Sequence, residues 1–292
     1  MMKFHLLAVS SLFAITPLVH AAPLNVVASF TVLADITKQI GGEDVTVKSL
    51  VAPNGDPHSF EPTAADSRAL AQANVIVVNG LGLEGWMDRL VSASGYRGKI
   101  TVASNGIHTD SMDEDDKQIV DPHAWNSLAN GEVYARNIMQ ALKAADPAHA
   151  AGYAQRGAQY LQKMQQLDHW AQQQYQAIPV ARRVVLTSHD AFGYYGKRYG
   201  VTFSAPLGLS TESEASAQQV AGLIKELKQR KISRYFTENQ TDPRLVKQIA
   251  SATGATPGGE LYPEALSTAS GPAPTYLQAF RYNTEQLLNS MR

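Results

Sequence analysis

Residues 146–175 read DPAHAAGYAQRGAQYLQKMQQLDHWAQQQY. No proline follows the second position, and Ala, Gln, Leu and Lys dominate. Asp146 is placed to cap a helix with Pro147 at its first position. Leu161, Met164, Leu167, Trp170 and Ala171 recur at the helical period. The spacing predicts one helix of about 30 residues, ~45 Å long at 1.5 Å per residue. A mid-helix glycine costs only about 1 kcal/mol. Gly157 therefore offers a place for a kink without ruling out a continuous helix.

Strand-like and helical runs alternate on both sides of this segment. Before it, residues 24–28, 45–51, 74–78 and 99–102 read as strands, and residues 32–40, 64–73 and 84–92 as helices. After it, strands are expected at 183–187, 201–204, 234–237 and up to 262. Helices are expected up to 199 and at 216–230, 243–253 and 274–289. Such alternation implies βαβ units and parallel sheets. The fold class is therefore α/β, with two lobes, each a mostly parallel sheet flanked by helices, joined by one long backbone helix. The division is residues 23–145 for the N-terminal lobe, 146–177 for the linking helix and 178–292 for the C-terminal lobe.

Residues 1–22 read as a cleaved secretory signal: Lys3, an apolar run over 6–19, and small residues before a cut near Ala21 or Ala22. The mature chain has no apolar run long enough to span a bilayer, and is expected to be soluble and periplasmic. The chain has no cysteine, so disulfides and thiolate metal sites are excluded, and no cysteine stands at the cut to carry a lipid anchor. A formal charge of −1 argues against a nucleic-acid partner.

The tripeptide Asp-Pro-His occurs twice, as Asp56-Pro57-His58 and Asp121-Pro122-His123, and a third histidine lies in Thr187-Ser188-His189-Asp190. Neutral imidazole is the commonest ligand for transition metals. The three histidines are too far apart for one helix or loop, so the fold must gather them. His58 and His189 follow predicted strands, His123 precedes a predicted helix, and Glu264 follows the last strand. In open α/β sheets ligands bind at the carboxyl ends of strands. His58 and His123 from one lobe would meet His189 and Glu264 from the other in the cleft, giving an N₃O shell that suits Zn²⁺. One of Asp56, Asp121 and Asp190 is expected to accept a second ring N–H. His108, His149 and His169 are expected to stay outside. The acidic stretch 110–116 reads as a solvated loop.

Gly80-Leu81-Gly82-Leu83-Glu84-Gly85 fits the dinucleotide pattern, but it is not on the first strand. It also lacks an acidic residue near position 100 to hold a ribose.

These motifs resemble those of the zinc/manganese solute-binding proteins of bacterial ABC importers. The resemblance covers essentially the whole mature chain: residues 54–63 and 121–125 around the two Asp-Pro-His turns, 79–86, 188–194, 237–240 and 261–267. It implies a monomeric periplasmic receptor that delivers a metal to a membrane permease, with a rigid linking helix and small closure. The family usually has Asp where this chain has Glu264. Manganese-type members generally carry Glu where His189 stands, which points to zinc. Zinc-type members often have a His-rich loop where this chain has only the acidic stretch. A Mn²⁺ or Fe²⁺ receptor is the nearest alternative. A zinc hydrolase would need an open coordination position and a general base, and no His-Glu-x-x-His is present. A chelate receptor would need a wide aromatic or basic cleft. Because imidazole must be neutral to bind, affinity is expected to fall below about pH 6.

Overall fold

A computed structural model describes residues 22–114, 117–209, 211 and 215–292. The expected leader, apart from Ala22, and Asp115 and Asp116 of the acidic stretch lie outside these. The first lobe runs β1 (Leu24–Ala28), α1 (Thr31–Gly41), β2 (Val45–Ser49), α2 (Ala64–Ala71), β3 (Val75–Val78), α3 (Met87–Ser94) and β4 (Ile100–Val102). A hairpin of β5 (Ser111–Glu114) and β6 (Lys117–Val120) precedes α4 (Leu128–Ala145), and α5 (Ala150–Gln176) follows. The second lobe runs β7 (Val184–Leu186), α6 (Gly193–Tyr199), β8 (Thr202–Ser204), α7 (Ala217–Gln229), β9 (Arg234–Glu238), α8 (Arg244–Thr253), β10 (Thr256–Leu261) and α9 (Tyr276–Met291).

Both main sheets are wholly parallel and share one topology. The first has order β2-β1-β3-β4, and the second has order β8-β7-β9-β10. The first strand of each lobe thus lies inside its sheet, with the next strand in sequence on one side and the third on the other. That reversal of direction opens a crevice at the strands' carboxyl ends. Continuous apolar strands such as Val75-Ile76-Val77-Val78, buried on both faces, are what a covered parallel sheet requires.

The long helix is present and unbroken at Gly157. A Cβ there would come 2.5 Å from Met139 Sδ, so the glycine allows close packing of α5 on α4. The helix begins later than the capping pattern suggests. Residues Pro147–His149 form a 3-10 turn, and the Asp146 carboxylate lies 2.6 Å from His149 Nδ1 and accepts from Tyr153 Oη at 2.8 Å. Helix α5 packs on α1 and α4 of the first lobe and on α6 and α9 of the second. Its buried Asp168 accepts from Arg198 Nε at 2.7 Å and from Tyr199 Oη at 2.6 Å, which fixes α6 against it.

One apolar core runs through both lobes, from Val26 and Ile76 in the first sheet to Val185 and Phe236 in the second. A smaller cluster of Leu186, Leu227, Ile232, Val246 and Ile249 lies under α7 and α8.

The described part of the acidic stretch departs from the expected loop, since Ser111–Glu114 is a strand. Residues 111–114 pair antiparallel with 117–120, placing Met112 opposite Ile119, and Met112 is buried. The apolar pair of Met112 and Ile119 gives the strands a packed contact that the charge run does not reveal. The hairpin is tied to α6, because Asp110 pairs with Lys197 and its N–H donates to Tyr194 Oη at 3.0 Å. Among the described residues no helix is long and apolar enough to cross a membrane.

Candidate metal centre

The repeated tripeptide builds the same turn twice. Asp56 Oδ1 accepts from His58 N at 2.8 Å, and Asp121 Oδ1 accepts from His123 N at 2.9 Å. In each case the carboxylate closes an Asx-turn two residues on, and proline fixes the residue between. Two tryptophans then pin the prolines that precede site residues. Trp86 Nε1 donates to Pro57 O at 2.9 Å, and Trp125 Nε1 donates to Pro263 O at 2.7 Å, just before Glu264.

The cleft brings the four expected residues together. Glu264 Oε1 lies 2.6 Å from His58 Nε2, 2.9 Å from His123 Nε2 and 3.2 Å from His189 Nε2. The four donor atoms all lie within 4.8 Å of one another. The side chains of His123, His189 and Glu264 are fully buried, and that of His58 is 9% exposed, so His58 stands at the mouth. His58, His189 and Glu264 follow β2, β7 and β10, as expected. His123 differs in following the hairpin and not a strand of the main sheet.

The loops carrying the site are stitched across the cleft. Asn54 N donates to Leu266 O at 3.0 Å, and Asn239 Nδ2 donates to Asn54 Oδ1 at 2.9 Å and to Ala265 O at 3.1 Å. Asn54 adopts a φ of 59°, a left-handed conformation asparagine tolerates.

Of the three expected outer partners, Asp121 faces the ring, with Oδ1 2.8 Å from His123 Nδ1. Asp56 turns its other oxygen to Thr211. Sequence reasoning missed Glu238, which closes β9. It accepts from Ser188 N at 3.0 Å and from His189 N at 3.3 Å, and it also contacts His189 Nδ1. The usable signal was its place just past the expected strand 234–237, within the stretch 237–240 that carries the family resemblance. His149 pairs with Asp146 and Asp44, and His108 and His169 are exposed, so all three stay outside the centre.

The dinucleotide pattern is accounted for locally. Gly80 and Gly82 take φ of 81° and 85° in a tight turn. The buried Glu84 carboxylate accepts from Asn79 N at 2.6 Å and Gly80 N at 3.1 Å, so those N–H groups are already engaged. Burial pushes Glu84 up from its usual pKa, despite these bonds and one from Ser29.

The electrostatics of the centre are mutual. Burial works against a charged His123, but its contacts with Asp121 and Glu264 outweigh burial and raise it to about 9. His189 is likewise raised well above its usual value, with Glu238 and Glu264 overcoming burial. Burial opposes ionisation of Glu264, yet the imidazoles hold it well below the usual carboxylate range. A metal entering here must displace protons. The window is therefore neutral to alkaline, above the pH 6 expected for an unperturbed imidazole. Affinity should keep rising with pH up to about pH 9, the value for His123, by about tenfold per pH unit for each proton released. Chelator competition between pH 6 and 9.5 measures this, and a flat profile from pH 7 upward would contradict it.

Comparison with known proteins agrees with this geometry. The family described as zinc-uptake complex component A, periplasmic, matches residues 26–290. The manganese ABC transporter substrate-binding lipoprotein PsaA of Streptococcus pneumoniae is 31% identical over 277 residues, covering 92% of this chain and 89% of that protein. The periplasmic zinc binding protein TroA of Treponema pallidum superposes with a TM-score of 0.86 at 29% identity, over 93% of this chain and 99% of that one. A Mn-bound periplasmic metal binding protein from Candidatus Liberibacter asiaticus gives a TM-score of 0.82 at 31% identity, over 92% and 100%. The chain thus belongs to the zinc-uptake component A family of metal-binding periplasmic receptors for ABC transporters, which are solute-binding proteins and not enzymes.

Proposed function

We propose that this protein captures Zn²⁺ through Nε2 of His58, His123 and His189 and a carboxylate oxygen of Glu264, and hands it to the membrane permease of an ABC importer. The convergence of three imidazole nitrogens on one carboxylate oxygen carries the reading. Three nitrogens and one oxygen suit zinc, whose structural sites are four-coordinate. The harder manganese ion favours oxygen. A Mn²⁺ or Fe²⁺ cargo is the second reading, favoured by the manganese names of relatives such as PsaA.

Residues 1–22 act as a cleaved export signal, and the receptor works as a periplasmic monomer. PsaA is named a lipoprotein, but the sequence here has no cysteine thiol to acylate. The division into lobes 23–145 and 178–292 around a linking helix 146–177 is supported by the shared sheet order and by α5 packing on both lobes. The stitching of Asn54 to Leu266 and Asn239 supports entry of metal by loop movement at His58, with little motion of whole lobes.

Elemental analysis of the exported protein, followed by zinc–manganese competition, tests the reading. Zinc should co-purify and should displace manganese at equal concentration. Manganese retained against equimolar zinc would overturn it.

A further inference from the structure

Three consecutive side chains, at the last residue of β9 and just past it, grip the centre. Glu238 engages His189, Asn239 Nδ2 donates to Ala265 O at 3.1 Å, and Gln240 Nε2 donates to Glu264 Oε2 at 3.2 Å. The two oxygens of Glu264 therefore differ. Oε1 faces three imidazoles, whereas Oε2 is turned to the amide of Gln240. The amide orientation is forced, because its carbonyl turned inward would set two acceptors against each other. The arrangement has a cost: Gln240 Oε1 is buried with no hydrogen-bond partner among the described residues. A fold gains nothing from an unpaired buried carbonyl, and an apolar side chain of similar volume would avoid it.

We propose that Gln240 is a specificity-determining residue, which holds Glu264 to one-oxygen coordination and so biases the site toward zinc over manganese. The inference deepens the receptor reading and rests on it. With Oε2 held by the amide, the centre offers three nitrogens and one oxygen, a tetrahedral set that satisfies zinc. With Oε2 free, the carboxylate can turn and chelate through both oxygens. The added hard donor and higher coordination number favour manganese. Glutamate has one more rotatable bond than aspartate, so its carboxylate needs the restraint more.

The test uses Gln240→Met, which keeps side-chain length and apolar bulk but has no N–H to donate. Zinc and manganese affinities are measured on wild type and variant, with melting temperature as a check on folding. The zinc-to-manganese affinity ratio should shift toward manganese by about tenfold, the scale on which partners of metal ligands act. An unchanged ratio in a folded variant overturns the proposal. X-ray absorption of zinc-loaded wild type supplies a test that does not depend on the variant. It should show three nitrogens and one oxygen at about 2.0–2.2 Å, and two bonded carboxylate oxygens would overturn the proposal. A wild type that prefers manganese would sink the zinc reading, while the shift in ratio would still decide the role of Gln240.

Discussion

His189→Ala should lower zinc affinity by roughly a hundredfold to a thousandfold and should also destabilise the metal-free protein. A four-ligand zinc site is worth about 10–16 kcal/mol, so each ligand carries on the order of 2.5–4 kcal/mol. The second effect follows from what surrounds the ring. His189 is fully buried and faces Glu238 through Nδ1 and Glu264 through Nε2. Its removal leaves two buried carboxylates short of a partner, at a cost of about 3–5 kcal/mol for a broken buried pair. The melting temperature of the metal-free variant should fall on the order of 10 °C. His58→Ala should lose comparable affinity with a smaller fall, because His58 stands at the mouth and contacts Glu264 alone of the acidic side chains. Calorimetric titration and thermal melting of both variants separate the two effects. Wild-type zinc affinity in either variant would remove that residue from the ligand set.

Glu238→Gln should weaken zinc binding about 10- to 100-fold without removing any ligand atom. Glu238 faces Nδ1 of His189, so once a metal displaces the Nε2 proton the remaining ring proton is held on Nδ1 and the Nε2 lone pair is given to the centre. Glutamine can still accept from Ser188 N and His189 N through its carbonyl oxygen. Its amide then turns an N–H toward Nδ1, and the proton moves to Nε2, the nitrogen that must bind metal. The loss is thus one of tautomer and not of shape. Isotope-edited NMR of the imidazole nitrogens should show Nδ1–H in the wild-type zinc complex and Nε2–H in the metal-free variant. Unchanged affinity with an Nδ1–H tautomer in the variant would rule this role out.

The four residues of the centre were legible because each sits in a local pattern that physics constrains. Asp-Pro-His is an Asx-turn written in sequence, and its backbone turn recurs at His58 and His123. His189 and Glu264 lie just past short apolar strands, where parallel sheets place their ligands. The two lobes followed from the alternation of strand and helix periods. Other features were hidden because they depend on neighbours distant in sequence. Glu238 reaches His189 only because β9 lies beside β7 in the sheet. Gly157 left room for a kink in the expected continuous helix, and its reason for being glycine shows only once Met139 is seen to pack against it. The hairpin at 111–120 was masked by its own charge, although Met112 opposite Ile119 supplies the apolar pair that orders it. The raised pKa of His123 was hidden for the same reason as Glu238, since the shift arises from buried carboxylates and not from the imidazole itself.

Anomalous diffraction at the zinc absorption edge, on crystals of the zinc-loaded protein, tests the central claim most directly. The account requires a strong peak in the cleft, about 2.0–2.2 Å from Nε2 of His58, His123 and His189 and from one oxygen of Glu264. A peak bonded to other side chains, with these four left unligated, would contradict it.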